Sequence, residues 1–246
     1  EEMKKYYFMA IDNGNNDAMC NLGYYYHYIE KNYEEMKKYY LMTIEKGSII
    51  KKGNIIAMYN LGYYYKTIEK NYDEMKKYFF MAIEKDYNDA MLELGDYYQD
   101  IEKNYDEMKK YYLMAIDNGN STAMNNLGCY YHDIEKNYEE MKKYYFMAIE
   151  KGDSDAMNNL GYYYKTIEKN YEEMKKYYLM AIEKGNIDSM YNLGLYYKDI
   201  EKNYDEMKKY FLMAIEKDDN EAMYKLGHHY QYIENNYKEM KKYYLM

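Results

Sequence analysis

The side chains with the greatest chemical potential in this sequence are two cysteines and four histidines, since thiolates and imidazoles bind metals and serve as nucleophiles or bases. Cys129 and His132 are three residues apart, so on a helix they would share one face and could begin a zinc site. A zinc site needs three or four protein ligands, and no further cysteine or histidine lies near this pair in the sequence. We therefore expect no metal site and interpret the histidines as polar surface residues: His27, His132, His228 and His229.

Other residue types that support catalysis occur here without the partners that catalysis needs. Adjacent carboxylates such as Glu34 and Glu35 could act as an acid–base pair, but similar pairs recur along the chain at predicted helix starts, where negative charge is stabilising. The serines lack a paired base, and the segment 47–53 lacks the spacing and the preceding strand of a phosphate-binding loop. The sequence therefore predicts no catalytic residues, no cofactor and no enzyme activity.

The composition indicates a folded, acidic protein. The formal net charge is -9, and the lysine pairs follow Glu or Asp at helical spacing, which disfavours a nucleic-acid partner. The apolar runs are far shorter than a membrane span, so no membrane partner is expected. The mean hydropathy of -0.94 is low because 43 residues are tyrosines, whose rings can still be buried. The absence of Arg, with abundant Lys, Asn and Ile, indicates an AT-rich genome.

A Leu-Gly pair recurs along the chain and reveals an internal repeat. The first step between consecutive pairs is 39 residues and each later step is 33, the excess of six coming from a duplicated segment within 48–56. This spacing predicts a single continuous array over 1–246, with a partial second helix at 1–15 and seven repeats over 16–246, the last truncated. The pairs are Leu22-Gly23, Leu61-Gly62, Leu94-Gly95, Leu127-Gly128, Leu160-Gly161, Leu193-Gly194 and Leu226-Gly227.

The first half of each repeat predicts an amphipathic helix, named helix A. In the fifth repeat, Ala156, Leu160, Tyr164 and Ile167 are spaced four, four and three residues apart, which places them on one helix face. The two cysteines lie in equivalent A helices three repeats apart, beyond the reach of a disulfide. We therefore expect free thiols in a reducing compartment, and hence an intracellular, cytoplasmic protein.

The second half of each repeat predicts another helix, named helix B. Asn170 followed by Glu173 is a capping-box-like helix start, and Gly185 is the residue type expected just after a helix C-terminus. Neither helix can bury its apolar face alone, so the repeats are expected to stack as an all-α solenoid of helical hairpins with a period of 33 residues. One methionine column of helix B is expected in the core: Met75, Met108, Met141, Met174 and Met207.

These residues resemble the SEL-one-like repeat family, a branch of the tetratricopeptide-like solenoids. In helix A the family pattern Ala-x3-Leu-Gly-x2-Tyr is matched by Ala156, Leu160, Gly161 and Tyr164. The resemblance implies a right-handed α/α superhelical solenoid of helix-turn-helix repeats and an adaptor or scaffold function in protein complexes. In helix B the family positions are occupied, with Met, Ile and Ser as departures, by Met174, Tyr177, Tyr178, Ala181, Ile182, Gly185 and Ser189.

One departure from the family is consistent along the chain. Between the two helices the family's Gly-x-Gly-Val is replaced by a shorter Ile-Glu-Lys-Asn-Tyr, which accounts for the short period. Some bacterial members carry a disulfide in each repeat, and the two lone cysteines here do not follow that type. Members with similar AT-rich compositions occur in large DNA viruses, and such an origin would place this chain in the host cytoplasm.

Variation between the repeats concentrates on one side of helix A, named the helix-A stripe. Its three variable columns lie at i, i+4 and i+7, represented by Asn158, Tyr162 and Lys165 in the fifth repeat, and a near-constant Asn column flanks them. In tetratricopeptide-like solenoids the corresponding stripe lines the concave face, so the resemblance implies that a partner protein binds there. The candidate partner-binding residues are Asn126, Asn158, Asn159, Tyr162, Lys165, Tyr191, Asn192, Leu195 and Lys198.

Two alternatives stay open at this point. The Asn side chains of the stripe could bind the backbone of a ligand, or they could bond to neighbouring A helices, and the second interpretation is favoured. The predicted function is a scaffold that binds partner proteins. The alternative is an architectural or self-assembling solenoid without a specific peptide ligand, and the sequence leaves the oligomeric state open.

Overall fold

The computed structural model describes residues 2–46 and 52–245, which belong to two compact units, one up to Ala123 and the other from Met124 onward. Within these residues all regular structure is helical. The helices are α1 (Glu2–Asp12), α2 (Asn16–Tyr25), α3 (Tyr33–Lys46), α4 (Lys52–Tyr64), α5 (Tyr72–Ile83), α6 (Asn88–Tyr97), α7 (Tyr105–Asp117), α8 (Ser121–Asp133), α9 (Tyr138–Glu150), α10 (Ser154–Tyr163), α11 (Tyr171–Glu183), α12 (Ile187–Tyr196), α13 (Tyr204–Ile215), α14 (Asn220–Tyr232) and α15 (Tyr237–Tyr244).

The helices of each unit pair as hairpins. In the first unit the A helices α2, α4 and α6 pack against the B helices that follow them, α3, α5 and α7. In the second unit α10, α12 and α14 pack in the same way against α11, α13 and α15. B helices such as α3 and α11 also contact the A helix of the next hairpin in their unit. The predicted all-α fold of stacked helix-turn-helix repeats is thereby confirmed.

The predicted organisation of the whole chain goes further than these two units. A single continuous array over 1–246 stays a prediction, as do its partial helix at 1–15 and its truncated last repeat. The six-residue insertion predicted within 48–56 falls in part on residues 48–51, which lie outside the described part of the chain.

The Leu-Gly pair marks the closest approach of helix A to helix B. A Cβ atom at Gly161 would lie 2.7 Å from Cδ1 of Tyr178, far inside van der Waals contact. In the other repeats a Tyr or Phe ring faces the equivalent glycine with carbons 2.3–2.7 Å from the position of a Cβ atom. Tyr178 is itself fully buried. Only glycine therefore permits this spacing between the two helices.

A second row of rings joins the two helices of each hairpin. Tyr164, after helix A, lies parallel to Tyr177 of helix B, with ring centroids 5.6 Å apart and an interplanar angle of 4°. Near-parallel pairs recur in other hairpins at 5.6–5.7 Å. Such offset pairs contribute roughly 0.5–1.5 kcal/mol beyond their buried area. The predicted methionine column completes the core, since all five of its members are fully buried: Met75, Met108, Met141, Met174 and Met207.

Both predicted ends of helix B are confirmed. Oδ1 of Asn170 accepts a hydrogen bond from the backbone N–H of Glu173 at 3.2 Å, and an equivalent Asn caps the other B helices from α3 onward. Gly185 has a φ of +85°, the left-handed conformation that glycine adopts without steric cost. Asp86 and Asp218 take this role in two other repeats, with φ values of +58° and +64°.

Helix A ends in a wider turn than the sequence predicts. Tyr164–Glu168 form a π-helical turn, and the chain leaves it through Lys169, whose φ is +54°. Equivalent turns follow α2, α4, α6 and α12. A π turn carries more than 3.6 residues, so it rotates the side chains that follow it. The prediction that Ile167 lies on the core face is wrong, because α10 ends before it: Ile167 is 45% exposed and Tyr163 is buried instead, and Ile134 and Ile233 are also exposed although no π turn precedes them.

A clamp of three side chains fastens this turn to the preceding repeat. The Tyr163 hydroxyl donates to Oε1 of Glu168 at 2.8 Å, and Lys142 Nζ of α9 donates to the same oxygen at 2.6 Å. The bond from Lys142 and the bond from Tyr163 lower the pKa of Glu168, so the carboxylate stays ionised. The same clamp is formed by Lys37, Glu69 and Tyr64, by Lys76, Glu102 and Tyr97, and by Lys175, Glu201 and Tyr196.

In the seventh repeat a histidine takes the place of the clamp tyrosine. His229 is fully buried, and its Nε2 lies 3.1 Å from Oε1 of Glu234, which also pairs with Lys208. Its other ring nitrogen, Nδ1, has no hydrogen-bond partner among the described residues. The interpretation of the histidines as surface residues is therefore wrong for His229, and also for His27, which is 6% exposed.

Gly161→Leu should loosen the hairpin of α10 and α11, because the new side chain would overlap the ring of Tyr178. Overpacked buried sites typically lose about 1–3 kcal/mol. Since each repeat contacts mainly its neighbours, amide hydrogen exchange should rise in α9 to α12 and change much less in α14 and α15. Tyr162→Leu, one residue further on at an exposed position, is the control and should leave exchange unchanged. Equal loss of protection throughout the second unit would contradict this local picture.

His229→Tyr should remove one source of acid sensitivity. Burial lowers the pKa of His229; the Glu234 carboxylate raises it in part, and Lys208 and Lys198 lower it again. The unfolded histidine takes up a proton near its ordinary pKa of about 6.5, before the folded one does, so stability is lost as the pH falls below that value. In thermal melts from about pH 7.5 to pH 5, the wild-type Tm should fall further than the variant's. His27 is present in both proteins, so its contribution to the pH dependence of Tm cancels in the comparison. A Tm difference that stays constant with pH would contradict the expectation.

Candidate functional site

The structure places the predicted site residues of the second unit on consecutive A helices. Asn158, Asn159 and Tyr162 lie on α10 and Lys165 lies in the π turn that follows it. Among the nine candidates, Tyr162 is exposed, with 47% of its surface accessible, and the other eight are half-buried. The remaining candidates are Asn126 on α8, Tyr191, Asn192 and Leu195 on α12, and Lys198 in the turn after α12.

The Asn side chains connect neighbouring A helices. Asn159 Nδ2 donates to Oδ1 of Asn125 at 3.0 Å, and Asn192 Nδ2 donates to Oδ1 of Asn158 at 3.1 Å. Ser189, which is fully buried, donates to the same Asn158 oxygen at 3.0 Å. The favoured interpretation of this column, hydrogen bonding between A helices, is therefore confirmed for these residues. Each amide has further hydrogen-bonding capacity, because it carries two donors and an acceptor oxygen with two lone pairs.

A small cleft of about 190 Å³ opens between α8 and α10 in the second unit. At its floor, the Tyr145 hydroxyl and Asn159 Nδ2 both lie 3.4 Å from Sγ of Cys129. Burial raises the pKa of the Cys129 thiol, which therefore stays protonated and unreactive at neutral pH. His132 lies at the edge of the cleft, with Nδ1 2.6 Å from Oδ1 of Asp133. Sequence reasoning interpreted Cys129 as a free thiol and His132 as a polar surface residue, and it did not predict this cleft.

The first unit contains a comparable cleft of about 200 Å³ on its own stripe, lined in part by Cys20, Tyr24 and Asn60. Burial raises the pKa of Cys20 to about 12, so this thiol is also protonated at neutral pH. Both cysteines are free, as the sequence predicts. In the part of the chain that is described, no three His, Cys, Asp or Glu side chains come together as a metal site.

The lysines of the stripe differ in their counter-charges. Lys66 Nζ lies 2.5 Å from Oε2 of Glu93, and Lys198 Nζ lies 3.9 Å from Oδ1 of Asp199. Lys165 makes no ion pair or hydrogen bond with another described residue, and burial lowers its pKa, partly offset by Asp199. Asp199 is a site residue that sequence reasoning missed. Asp199 could have been found in the sequence, because it directly follows Lys198 and its position varies between the repeats.

None of the described helices is long and apolar enough to cross a membrane.

The sequence matches one family model, described as Sel1 repeat, in seven consecutive segments. They cover residues 16–48, 55–87, 88–120, 121–153, 154–186, 187–219 and 220–232, which is most of the chain. Against curated protein sequences, the chain has no match.

Solved structures with a similar fold come from bacteria and from human. The crystal structure of a Sel1 repeat protein from Oxalobacter formigenes has a TM-score of 0.65 and 25% identity, covering 82% of this chain and 88% of that one. The immunity protein Pa5087 from Pseudomonas aeruginosa has a TM-score of 0.55 and 19% identity, with coverages of 78% and 80%. The human IFIT1 dimer with PPP-AAAA has a TM-score of 0.51 and 17% identity, with coverages of 93% and 53%. The last two likenesses show the fold alone.

Asn158→Ala should destabilise the second unit, because it leaves Asn192 and the buried Ser189 without their shared acceptor. An unsatisfied buried polar group costs about 1–3 kcal/mol. The matched control is Asn21→Ala, since Asn21 is exposed and makes no hydrogen bond with another described residue. Urea unfolding followed by circular dichroism should show a lower midpoint for Asn158→Ala and an unchanged one for Asn21→Ala. Equal midpoints for the two variants would show that the amide ladder contributes nothing.

Proposed function

This chain belongs to the Sel1 repeat family, and on that premise we propose that it is a scaffold that binds partner proteins on its A helices. Sel1 repeat proteins are generally protein-interaction scaffolds without catalytic activity. In this proposal the helix-A stripe lies on the concave face of a single array over 1–246, and the partner lies along it. The free thiols, of which Cys20 is buried and Cys129 half-buried, are consistent with our proposal that the protein works in the reducing environment of a cell interior.

The observation that carries this proposal is where the repeats differ from one another. The methionine core, the Asn caps and the glycine contacts are nearly the same in every repeat. The column that contains Tyr162 instead changes to Cys129, Leu195 and His228 in the other repeats of the second unit. A constant frame with a variable surface is what a binding scaffold requires, because each position of the partner can then be recognised by a different side chain.

The geometry of the stripe assigns different tasks to its residues. The exposed ring of Tyr162 and the half-buried ring of Tyr191 offer apolar area with a polar tip, the type of side chain that is enriched at binding hot spots. The Asn ladder holds the A helices at a fixed spacing, so the rings are presented in defined positions. The cleft beside Tyr162 offers room for a small side chain of the partner.

A nucleic-acid partner is the less favoured occupant. The human IFIT1 dimer with PPP-AAAA shares the fold at 17% identity, and this likeness concerns the fold alone. The present chain has a net charge of -9, whereas nucleic-acid binding depends on a basic surface that neutralises phosphates.

A second candidate function, self-assembly, is favoured by one constant surface feature. The isoleucine between helices A and B is present in all seven repeats and is 45–64% exposed. A partner with the same period, such as a second copy of the chain, could engage a whole row of identical side chains. Light scattering coupled to size-exclusion chromatography tests this candidate, since self-assembly requires a mass above 30.3 kDa that falls when the isoleucines are changed to Ser.

Substituting Ala at Tyr162, Lys165 and Tyr191 in one variant should weaken partner capture at least tenfold, because two aromatic rings and one positive charge are removed from the same surface. The melting curve should change little, since none of the three is fully buried. The control variant replaces Lys143 and Lys176, which lie on B helices and pair only within their own helix. Surface plasmon resonance with a partner identified by proximity labelling gives both affinities. If the control loses binding and the stripe variant does not, the site lies on the B helices.

A further inference from the structure

The stripe contains one lysine whose counter-charge is missing. In the second repeat, Lys66 pairs at 2.5 Å with Glu93, which lies 27 residues later on the next A helix. The residue 27 positions after Lys165 is Asn192, which carries no charge and donates its amide hydrogen bond to Asn158. Lys165 therefore occupies the position of an interhelical ion pair without the carboxylate that completes it.

Lys165 and Lys198 both lie near the carboxylate of Asp199. Asp199 is the one carboxylate that stabilises the ammonium of Lys165, and it lies 3.9 Å from Lys198 as well. The residue 27 positions after Lys198, which corresponds to Glu93, is Lys225 and supplies no carboxylate. Two ammonium groups thus share a single carboxylate. A half-buried ammonium without its own counter-ion is costly, and this cost is relieved when an anion binds.

We propose that Lys165, together with Lys198, binds a carboxylate side chain in an acidic segment of the partner protein. The exposed ring of Tyr162, one turn earlier on the same face, packs beside that segment. Asp155 and Asp188 are exposed carboxylates at the starts of the same A helices, so they repel a polyphosphate chain that extends along the stripe. A single acidic side chain bound at Lys165, beyond the C-terminal end of helix A, is tolerated. This inference rests on the proposed function, because it names the chemistry of the partner for the same stripe.

The test uses random 12-residue peptides displayed on phage and panned against the immobilised full chain. Peptides enriched by the wild type should share Asp or Glu at one position, and their affinity should fall at least tenfold with Lys165→Met. Asn192→Glu should have the same effect while keeping Lys165, because the new carboxylate would pair with it as Glu93 pairs with Lys66. Lys66→Met, which removes a stripe lysine that already has its own carboxylate, is the matched control and should retain the acidic preference. Thermal melts of all variants verify that they are folded.

The outcomes separate this inference from the proposed function. If the enriched peptides depend on Tyr162 and Tyr191 but show no acidic residue, the scaffold function stands and the carboxylate site is wrong. The site is also wrong if Lys165→Met and Asn192→Glu bind the acidic peptides as the wild type does. Competition by a 12-nucleotide oligoadenylate at equal concentration would overturn it in favour of a phosphate ligand. If no peptide is enriched over a blank surface, the proposed function fails together with it.

Discussion

The close contact between a glycine backbone and an aromatic ring is the interaction on which the rest of each hairpin depends. Because Gly161 has no side chain, the ring of Tyr178 packs directly on helix A, and a Cβ atom would lie 2.7 Å from it. This contact fixes which side of helix A faces helix B. The neighbouring Tyr162 must then point away from the hairpin, where it is 47% exposed. The variable surface of the molecule is thus a direct consequence of its most constrained contact.

The connection between the helices combines a strained backbone with strong local hydrogen bonding. Lys169 adopts a left-handed conformation that costs a non-glycine residue roughly 1–2 kcal/mol. In return, the N–H groups of Lys169 and Asn170 both donate to the carbonyl of Tyr164, which would otherwise lack a partner at the helix end. The turn also directs Glu168 toward Tyr163 and Lys142. The clamp and the turn therefore stabilise one another, and the same conformation recurs at a lysine in the first four repeats and the sixth, and at Asn235 in the seventh.

Much of the fold could be predicted from the sequence because it depends on local patterns. The Leu-Gly period, the Asn caps and the methionine column are properties of single helices and their ends, and the structure confirms them. The exposure of Ile167 could not be predicted, because a regular helix of 3.6 residues per turn places it on the core face, whereas helix A ends before it; the equivalent Ile134 and Ile233 are exposed without a π turn before them. The burial of His229 depends on its clamp with Glu234, a contact that becomes visible only after the register of the turn is known.

The candidate site was predictable in outline and not in detail. Comparison of the repeats located the stripe, because variable positions at i, i+4 and i+7 must share one helix face. The pairing of Asn159 with Asn125 and the cleft around Cys129 depend on the spacing between helices, which the sequence does not encode in a local pattern. The contrast between Lys66 and Lys165 likewise depends on which residue of the next helix faces each lysine.

The clamp also bears on how such a gene can change in length. Lys142 and Glu168 are 26 residues apart, as are Lys175 and Glu201, whereas Lys37 and Glu69 are 32 apart and still form their pair at 3.1 Å. Six additional residues in the sequence between Lys37 and Glu69 have thus left the joint unaltered. Unequal recombination between equivalent codons of two repeats would rejoin the same lysine, glutamate and tyrosine each time. Repeats can therefore be gained or lost without the evolution of a new interface, and selection can act on the stripe alone.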